Sequence, residues 1–197
     1  IKEDTASWRN FLRHLKERGL QGVRLVTSDK CLGLIEALGE FYPEADWQRC
    51  MVHWQRNVGS AVPRSKRSEA MAMLKAIHAQ EDARAALKKG AEVVAKLREM
   101  KLAQAAKIVE EGLVETLSYM AYPREHWIRI RTNNPLERIM REIRRRTRVV
   151  GNFPDGQSAL MLVGARLRHV AGTKWGTRSY MDMTRLTDQE KEATLPV

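Results

Sequence analysis

The sequence predicts an α/β layer that gives way to helix, leaving the chain predominantly α. Three observations carry this. The first 63 residues alternate helix, strand, helix, strand, helix, the order that parallel strand pairing requires. Residues 65–119 are dominated by Ala, Lys, Glu, Leu and Met, with no Pro and few β-branched residues. Residues 131–148 then hold seven Arg against two Glu, on a helix opened by Asn134-Pro135.

Residues 4–18 predict an amphipathic helix with Trp8, Phe11, Leu12 and Leu15 on one side and Gly19 as its stop. Residues 22–27 form a short β-rich run, a buried strand. Ser28-Asp29 follows, then a helix over 30–41 closed by Pro43. A second strand is expected at 45–49 and a helix at 50–60. Three helices are expected next, at 68–79, 81–99 and 102–117; their composition fits an insertion and an independent domain equally. Met71, Met73 and Met100 read as core fillers, and Lys88, Lys89, Lys96, Lys101 and Lys107 as solvated faces.

An aromatic-basic stretch, 126–131, leads into the arginine helix. Asn134 suits its N-cap and Pro135 its first helical position. Leu136, Met140, Ile143 and Thr147 make one narrow stripe able to face a core. Glu137 lies about 90° from that stripe, in line with Arg141, Arg144 and Arg148. A carboxylate among cations suits a site that handles phosphates; a capping box reaching back to the Asn134 N–H explains it equally well. Residues 151–156 break the chain, a last packing helix spans 157–170 with Leu160, Leu162, Val163 and Leu167, and the tail from 174 reads as peripheral.

At 197 residues the chain can bury a core. Its 43% hydrophobic and 30% charged residues suit a globular protein, and no apolar run approaches the roughly 20 residues that span a bilayer. Two cysteines, Cys31 and Cys50, make no disulfide framework, and with no leader at the start they suggest a reducing cytoplasm. A net charge of +11 points to a polyanion. Ile1 in place of an initiator Met suggests a start inside a longer protein.

Asp29 sits where a strand ends, the usual place for ligands in α/β sheets, although Ser28 or Asp29 serves as readily to cap the next helix. With Glu137 it can supply oxygen ligands to Mg²⁺ or Mn²⁺ and leave room for phosphates. Cys50 and His53, three apart on one helical face, offer half of a zinc site with Cys31 as a conceivable third ligand. The lack of a second close Cys/His pair argues against zinc there. Trp47, Trp54 and Trp127, near Arg49, Arg56, Arg129 and Arg131, offer stacking surfaces for bases, though a Trp in a small core is the commoner outcome. Phosphate loops, dinucleotide fingerprints and Ser/His/Asp arrangements are absent from the sequence.

Three blocks occur in order: Val26-Thr27-Ser28-Asp29; Trp47-Gln48-Arg49-Cys50-Met51-Val52-His53-Trp54; and Asn133-Asn134-Pro135-Leu136-Glu137-Arg138 running on to Phe153-Pro154. Together they resemble the Mutator-like transposases of bacterial insertion sequences, over residues 8–180. The resemblance implies a ribonuclease H-like, retroviral integrase-type core, of which 1–63 is a part. An all-helical insertion follows at 64–120, a return to the core with the catalytic Glu helix at 121–175, and a tail at 176–197. It implies DNA strand cleavage and transfer by an Asp-Asp-Glu triad with a divalent metal, Asp29 being the second acid and Glu137 the third. Cys50 and His53 match the family's Cys-x-x-His element. Arg138, Arg141, Arg144, Arg145 and Arg148 are the expected DNA contacts. The implied partners are transposon ends and target DNA, and further copies of the full-length parent in the bacterial cytoplasm, without a membrane. The family's first Asp lies on an earlier strand. The expectation is therefore a C-terminal catalytic portion, inactive alone, with an uncovered sheet edge and apolar face. The alternatives are a non-catalytic basic DNA-binding remnant and a ribonuclease H-type nuclease.

Overall fold

The computed structural model describes residues 4–194, so Ile1 and the end of the tail lie outside it. Helix accounts for 71% of the described residues. The chain divides into two units, residues 1–132 and 133–197.

The first unit opens with α1 (Thr5–Glu17), whose N-cap Asp4 accepts from the Ser7 amide at 2.8 Å. β1 (Leu25–Ser28), α2 (Leu32–Phe41), β2 (Asp46–Arg49) and α3 (Met51–Ser60) follow in the expected order. β1 begins three residues later than the β-rich run suggested and includes Ser28. β1 and β2 pair in parallel, Leu25 opposite Asp46 and Ser28 opposite Arg49. Leu12, Leu34, Ala37, Leu38 and Tyr42 are buried together, with Trp8, Val26 and Trp47 packed against them. The predicted inward face of α1 thus closes on α2, although Phe11 stays 49% exposed.

A second core forms among α3, α4 (Arg64–Ile77), α5 (Ala83–Glu99) and α6 (Ala103–Gly112). Trp54, Val58, Leu74, Ile77, Leu97 and Val109 are buried there. Met71, Met73 and Met100 fill in at its margin, as their flexible side chains suggested. The expected helix 102–117 is shorter: α6 ends at Gly112, and two tight turns, Val114–Thr116 and Ser118–Ala121, carry the chain onward. The cause is long-range. Gln48 on β2, fully buried, donates to the Thr116 carbonyl at 2.9 Å and accepts from the Tyr119 amide at 2.9 Å. A buried side chain that satisfies two backbone groups outweighs the helical preference of the segment. The short helix α7 (Trp127–Ile130) completes this unit.

The second unit contains α8 (Asn134–Val150), α9 (Gly156–Ala171), α10 (Lys174–Thr177) and α11 (Thr184–Thr194). Asp155 caps α9 by accepting from the Ser158 amide at 2.6 Å. The α8 N-cap is Asn133, not Asn134, so Pro135 falls one position further in and Glu137 lies beyond the capping-box position. The expected inward stripe is corrected too. Ile143 and Thr147 are partly sheltered as expected, but Leu136 and Met140 are exposed, and Ile139 and Glu142 are sheltered in their place.

Candidate functional site

The parallel register builds the site. Ser28 pairs with Arg49 at the last rung, and the Cys50 amide then donates to the Ser28 carbonyl at 2.7 Å. Asp29 and Cys50 are the next residues of two adjacent strands, at their carboxyl ends. The Asp29 carbonyl accepts from the Cys31 amide at 2.8 Å, turning the chain into α2. Cys50 caps α3, and one turn later His53 returns to the same side, its Nδ1 facing the Asp29 carboxylate. One ligand atom from each of Asp29, Cys50 and His53 lies within 4.8 Å of the others. Cys50 is fully buried, the His53 side chain is 23% exposed and that of Asp29 58% exposed, so the group opens to solvent on its carboxylate side.

This group differs from the one the spacing suggested. Cys31, the conceivable third ligand, is not part of it, and Asp29 takes that place. Helical spacing pairs Cys50 with His53 because both lie on one helix. Their meeting with Asp29 depends on the sheet register, which no local pattern announces.

The surroundings are tied down by buried polar contacts. Trp47 Nε1 donates to Ser28 Oγ at 2.9 Å, and Thr27 Oγ1 donates to the Ile130 carbonyl at 2.6 Å. The Met51 amide, at the start of α3, donates to the Arg131 carbonyl at 3.1 Å. The last residues of the first unit are thus fastened at the strand ends. Arg49 is nearly buried and pairs with Glu115 at 3.0 Å, and Lys30 meets the same carboxylate at 2.5 Å. Arg49 therefore serves structure here. So does Trp54, which is fully buried and rests edge-on against His78, with ring centres 5.6 Å apart. Trp54 thus takes the commoner of the two places open to it, a core position, and offers no stacking surface for bases. Trp127 donates to the Tyr122 carbonyl at 2.7 Å and lies under Arg124.

Glu137 belongs to the second unit, half-sheltered in the first turn of α8. Arg138, Arg141, Arg144, Arg145 and Arg148 are all exposed. They are not equivalent. Glu142 accepts from Arg145 at 2.8 and 3.1 Å and meets Arg166 of α9 at 2.5 Å. The hydrogen bond from Arg145 and the charge of Arg166 hold its carboxyl down at about 2. Arg138 instead stacks over the Trp175 ring, 4.8 Å from its centre. Arg138, Arg141, Arg145, Arg166 and His169, with Glu142 and Trp175, line a cavity of about 370 Å³ within this unit. Sequence reasoning missed Arg166 and Trp175, which reach the cavity from α9 and α10.

Among the described residues, no helix is long and apolar enough to cross a membrane. The Mutator family transposase model matches residues 1–176. The chain is 40% identical over 185 residues to the transposase for insertion sequence element IS1081 of Mycobacterium tuberculosis, covering 94% of this chain and 44% of that protein. It is 36% identical over 192 residues to the transposase for element ISRM5 of Rhizobium meliloti, covering 98% and 48%. To the transposase for element IS256 in transposon Tn4001 of Staphylococcus aureus it is 32% identical over 166 residues, covering 84% and 42%. The chain spans just under half the length of these relatives. With a matching model over most of its residues, the chain belongs to the Mutator family of insertion-sequence transposases.

Proposed function

We propose that this chain is the C-terminal catalytic portion of an Asp-Asp-Glu DNA transposase. The reading includes a ribonuclease H-like core contributed by β1, β2 and their helices, with α4–α6 as the helical insertion. Asp29 acts as the second acid of the triad and Glu137 as the third. The observation that carries this reading is Asp29 itself: an exposed carboxylate at the carboxyl end of a parallel strand, in a chain of a transposase family. Glu137 follows only six residues after Arg131, whose carbonyl is bonded beside Cys50.

The donor chemistry fits a hard divalent cation, since carboxylate oxygens are the ligands Mg²⁺ and Mn²⁺ prefer. Asp29 and Glu137 would hold it, and when bound it would stabilise charge on the attacking and leaving oxygens of a phosphodiester. The chain's own share is to hold and orient the DNA. Arg138, Arg141, Arg144 and Arg148 neutralise phosphates along α8, which fixes the backbone without reading its sequence. Two carboxylates are matched here and strand transfer uses three, so the chain alone is expected to bind DNA without joining it. Transposon ends, target DNA and further copies of the full-length parent are the expected partners in the bacterial cell.

The test is Glu137→Gln in a chain extended to carry the family's first Asp. Strand transfer should disappear while DNA binding persists; transfer at the unaltered rate would refute the assignment. The other reading is a basic DNA-binding protein without catalysis, favoured by an arginine-lined cavity whose lining includes neither Asp29 nor Glu137. Calorimetry separates the two: Mn²⁺ binding that Asp29→Asn removes and His53→Asn leaves in place supports the enzyme, and DNA binding indifferent to both metal and Asp29 supports the alternative.

A further inference from the structure

We infer that Asp29, Cys50 and His53 form a binding site for a thiophilic divalent cation of the zinc class, distinct in chemistry from the Mg²⁺ or Mn²⁺ of strand transfer. The sequence argued against zinc because no second close Cys/His pair follows Cys50 and His53. The fold supplies the third ligand from another strand: a carboxylate oxygen, a thiol sulfur and an imidazole nitrogen lie within 4.8 Å of one another. Sulfur and imidazole ligands suit zinc, whereas magnesium takes oxygen. Three protein ligands leave the fourth tetrahedral position to water or a phosphate oxygen, the pattern of an open zinc site rather than a closed structural one.

The geometry needs little adjustment. Zinc bonds of about 2.0–2.3 Å put tetrahedral ligands roughly 3.3–3.8 Å apart, so the widest separation closes by at most about 1 Å while the direct Asp29–His53 contact opens to admit the ion. Side-chain rotation suffices, because the backbone is already fixed. Cys50 N is bonded to the Ser28 carbonyl, Trp54 N to the Cys50 carbonyl at 3.0 Å, and Cys31 N to the Asp29 carbonyl. The buried sulfur is reached from the solvent side through Asp29, whose side chain is 58% exposed. On binding, the thiol proton leaves to solvent and the thiolate takes its place on the cation. Asp29 is shared with the cation proposed for strand transfer, so the two ions would compete for its carboxylate; Cys50 and His53 belong to this site alone, and variants there test it without testing the enzyme.

Cobalt(II) is the probe. Titrated into the metal-stripped chain, one equivalent should produce a sulfur-to-cobalt charge-transfer band in the near ultraviolet and intensified visible bands of a four-coordinate ion. One equivalent of zinc should abolish both. Cys50→Ser should lose the charge-transfer band, and Cys31→Ser should keep it. Because Cys50 is buried and its replacement can disturb folding, His53→Asn provides a second variant. It retains the sulfur but should weaken zinc binding by at least the roughly 10- to 100-fold that loss of a supporting partner costs, with unchanged circular dichroism. No sulfur band in the unaltered chain, a band that survives Cys50→Ser in a folded protein, or zinc affinity unmoved by His53→Asn would each overturn the site.

Discussion

The Cys50 amide donates to the Ser28 carbonyl at 2.7 Å, continuing the parallel ladder one step past the Ser28–Arg49 rung. This bond sets the geometry of the candidate site. It holds Asp29 and Cys50 as neighbours on adjacent strand ends, and the first turn of α3 then brings His53 to the carboxylate. What stabilises β2 therefore stabilises the site, and Gln48 is its main anchor.

Gln48→Leu should destabilise the first unit by about 2–4 kcal/mol. The replacement removes the bonds to Thr116 and Tyr119 and leaves two buried backbone groups without their partner. Urea unfolding followed by tryptophan fluorescence should show a lower midpoint with an unchanged slope. An unaltered midpoint would mean that the turns after α6 are held by something else.

The same bonds show what the sequence could and could not convey. Apolar periodicity and flanking Gly, Pro and Asp residues delimit α1, α2, α3 and α5 to within a few residues, since those signals are local. The end of α6 is illegible, because Gln48 fixes the turns from more than sixty residues away. The α8 cap lies one residue before the expected one, since Asn133 and Asn134 are chemically equal candidates and only the backbone chooses. At the site, helical spacing joins Cys50 to His53, while Asp29 joins them through strand register. Glu137 and the arginines are visible as a charged helix, and the Glu142–Arg145 pair is local to it, but the Arg166 that also meets Glu142 comes from α9.

Gly112→Ala should be destabilising even though alanine favours helix. A Cβ there would lie 2.7 Å from Arg49 Nη1 and 2.8 Å from Trp54 Nε1. Overpacking costs about 1–3 kcal/mol, and the helical gain is at most about 1, so a net loss of roughly 1–2 is expected. Arg49 must yield, loosening its pair with Glu115. Thermal unfolding checks the loss, and a Glu115→Gln background should shrink it, since the ion pair is then already absent.

Acid should weaken the first unit through His78. Burial against Trp54 and Tyr119, with Arg131 adding repulsion, lowers its pKa from 6.5 to about 4. Below pH 6.5 the unfolded chain takes up a proton that the folded one refuses. The stability contribution is thus whole above pH 6.5 and is lost progressively down to pH 4. At about 1.4 kcal/mol per pH unit, the loss approaches 3 kcal/mol. Urea midpoints measured from pH 7.5 to 4.5 should fall more steeply in the unaltered chain than in His78→Asn; parallel curves would exclude His78 as the source.

Glu142 limits how much of the α8 charge is open to the DNA proposed as its partner. Its carboxyl, held at about 2 chiefly by the Arg145 hydrogen bond, remains ionised at any working pH and engages both Arg145 and Arg166. Glu142→Gln keeps the shape of the side chain and removes its charge, releasing the guanidinium groups of Arg145 and Arg166 beside the cavity and the longer 3.6 Å pair with Arg146. Non-specific affinity for duplex DNA should rise. Each additional phosphate neutralised steepens the logarithmic salt dependence by about 0.9, so a change of roughly one to two units is expected. Arg141→Ala, which removes a lining arginine outside the Glu142 pairs, should flatten the same slope by about 0.9. Salt titrations of fluorescence anisotropy on a random-sequence duplex measure both. If neither variant moves the slope, DNA does not bind along this face of α8, and the arginines there serve the packing of α8 against α9.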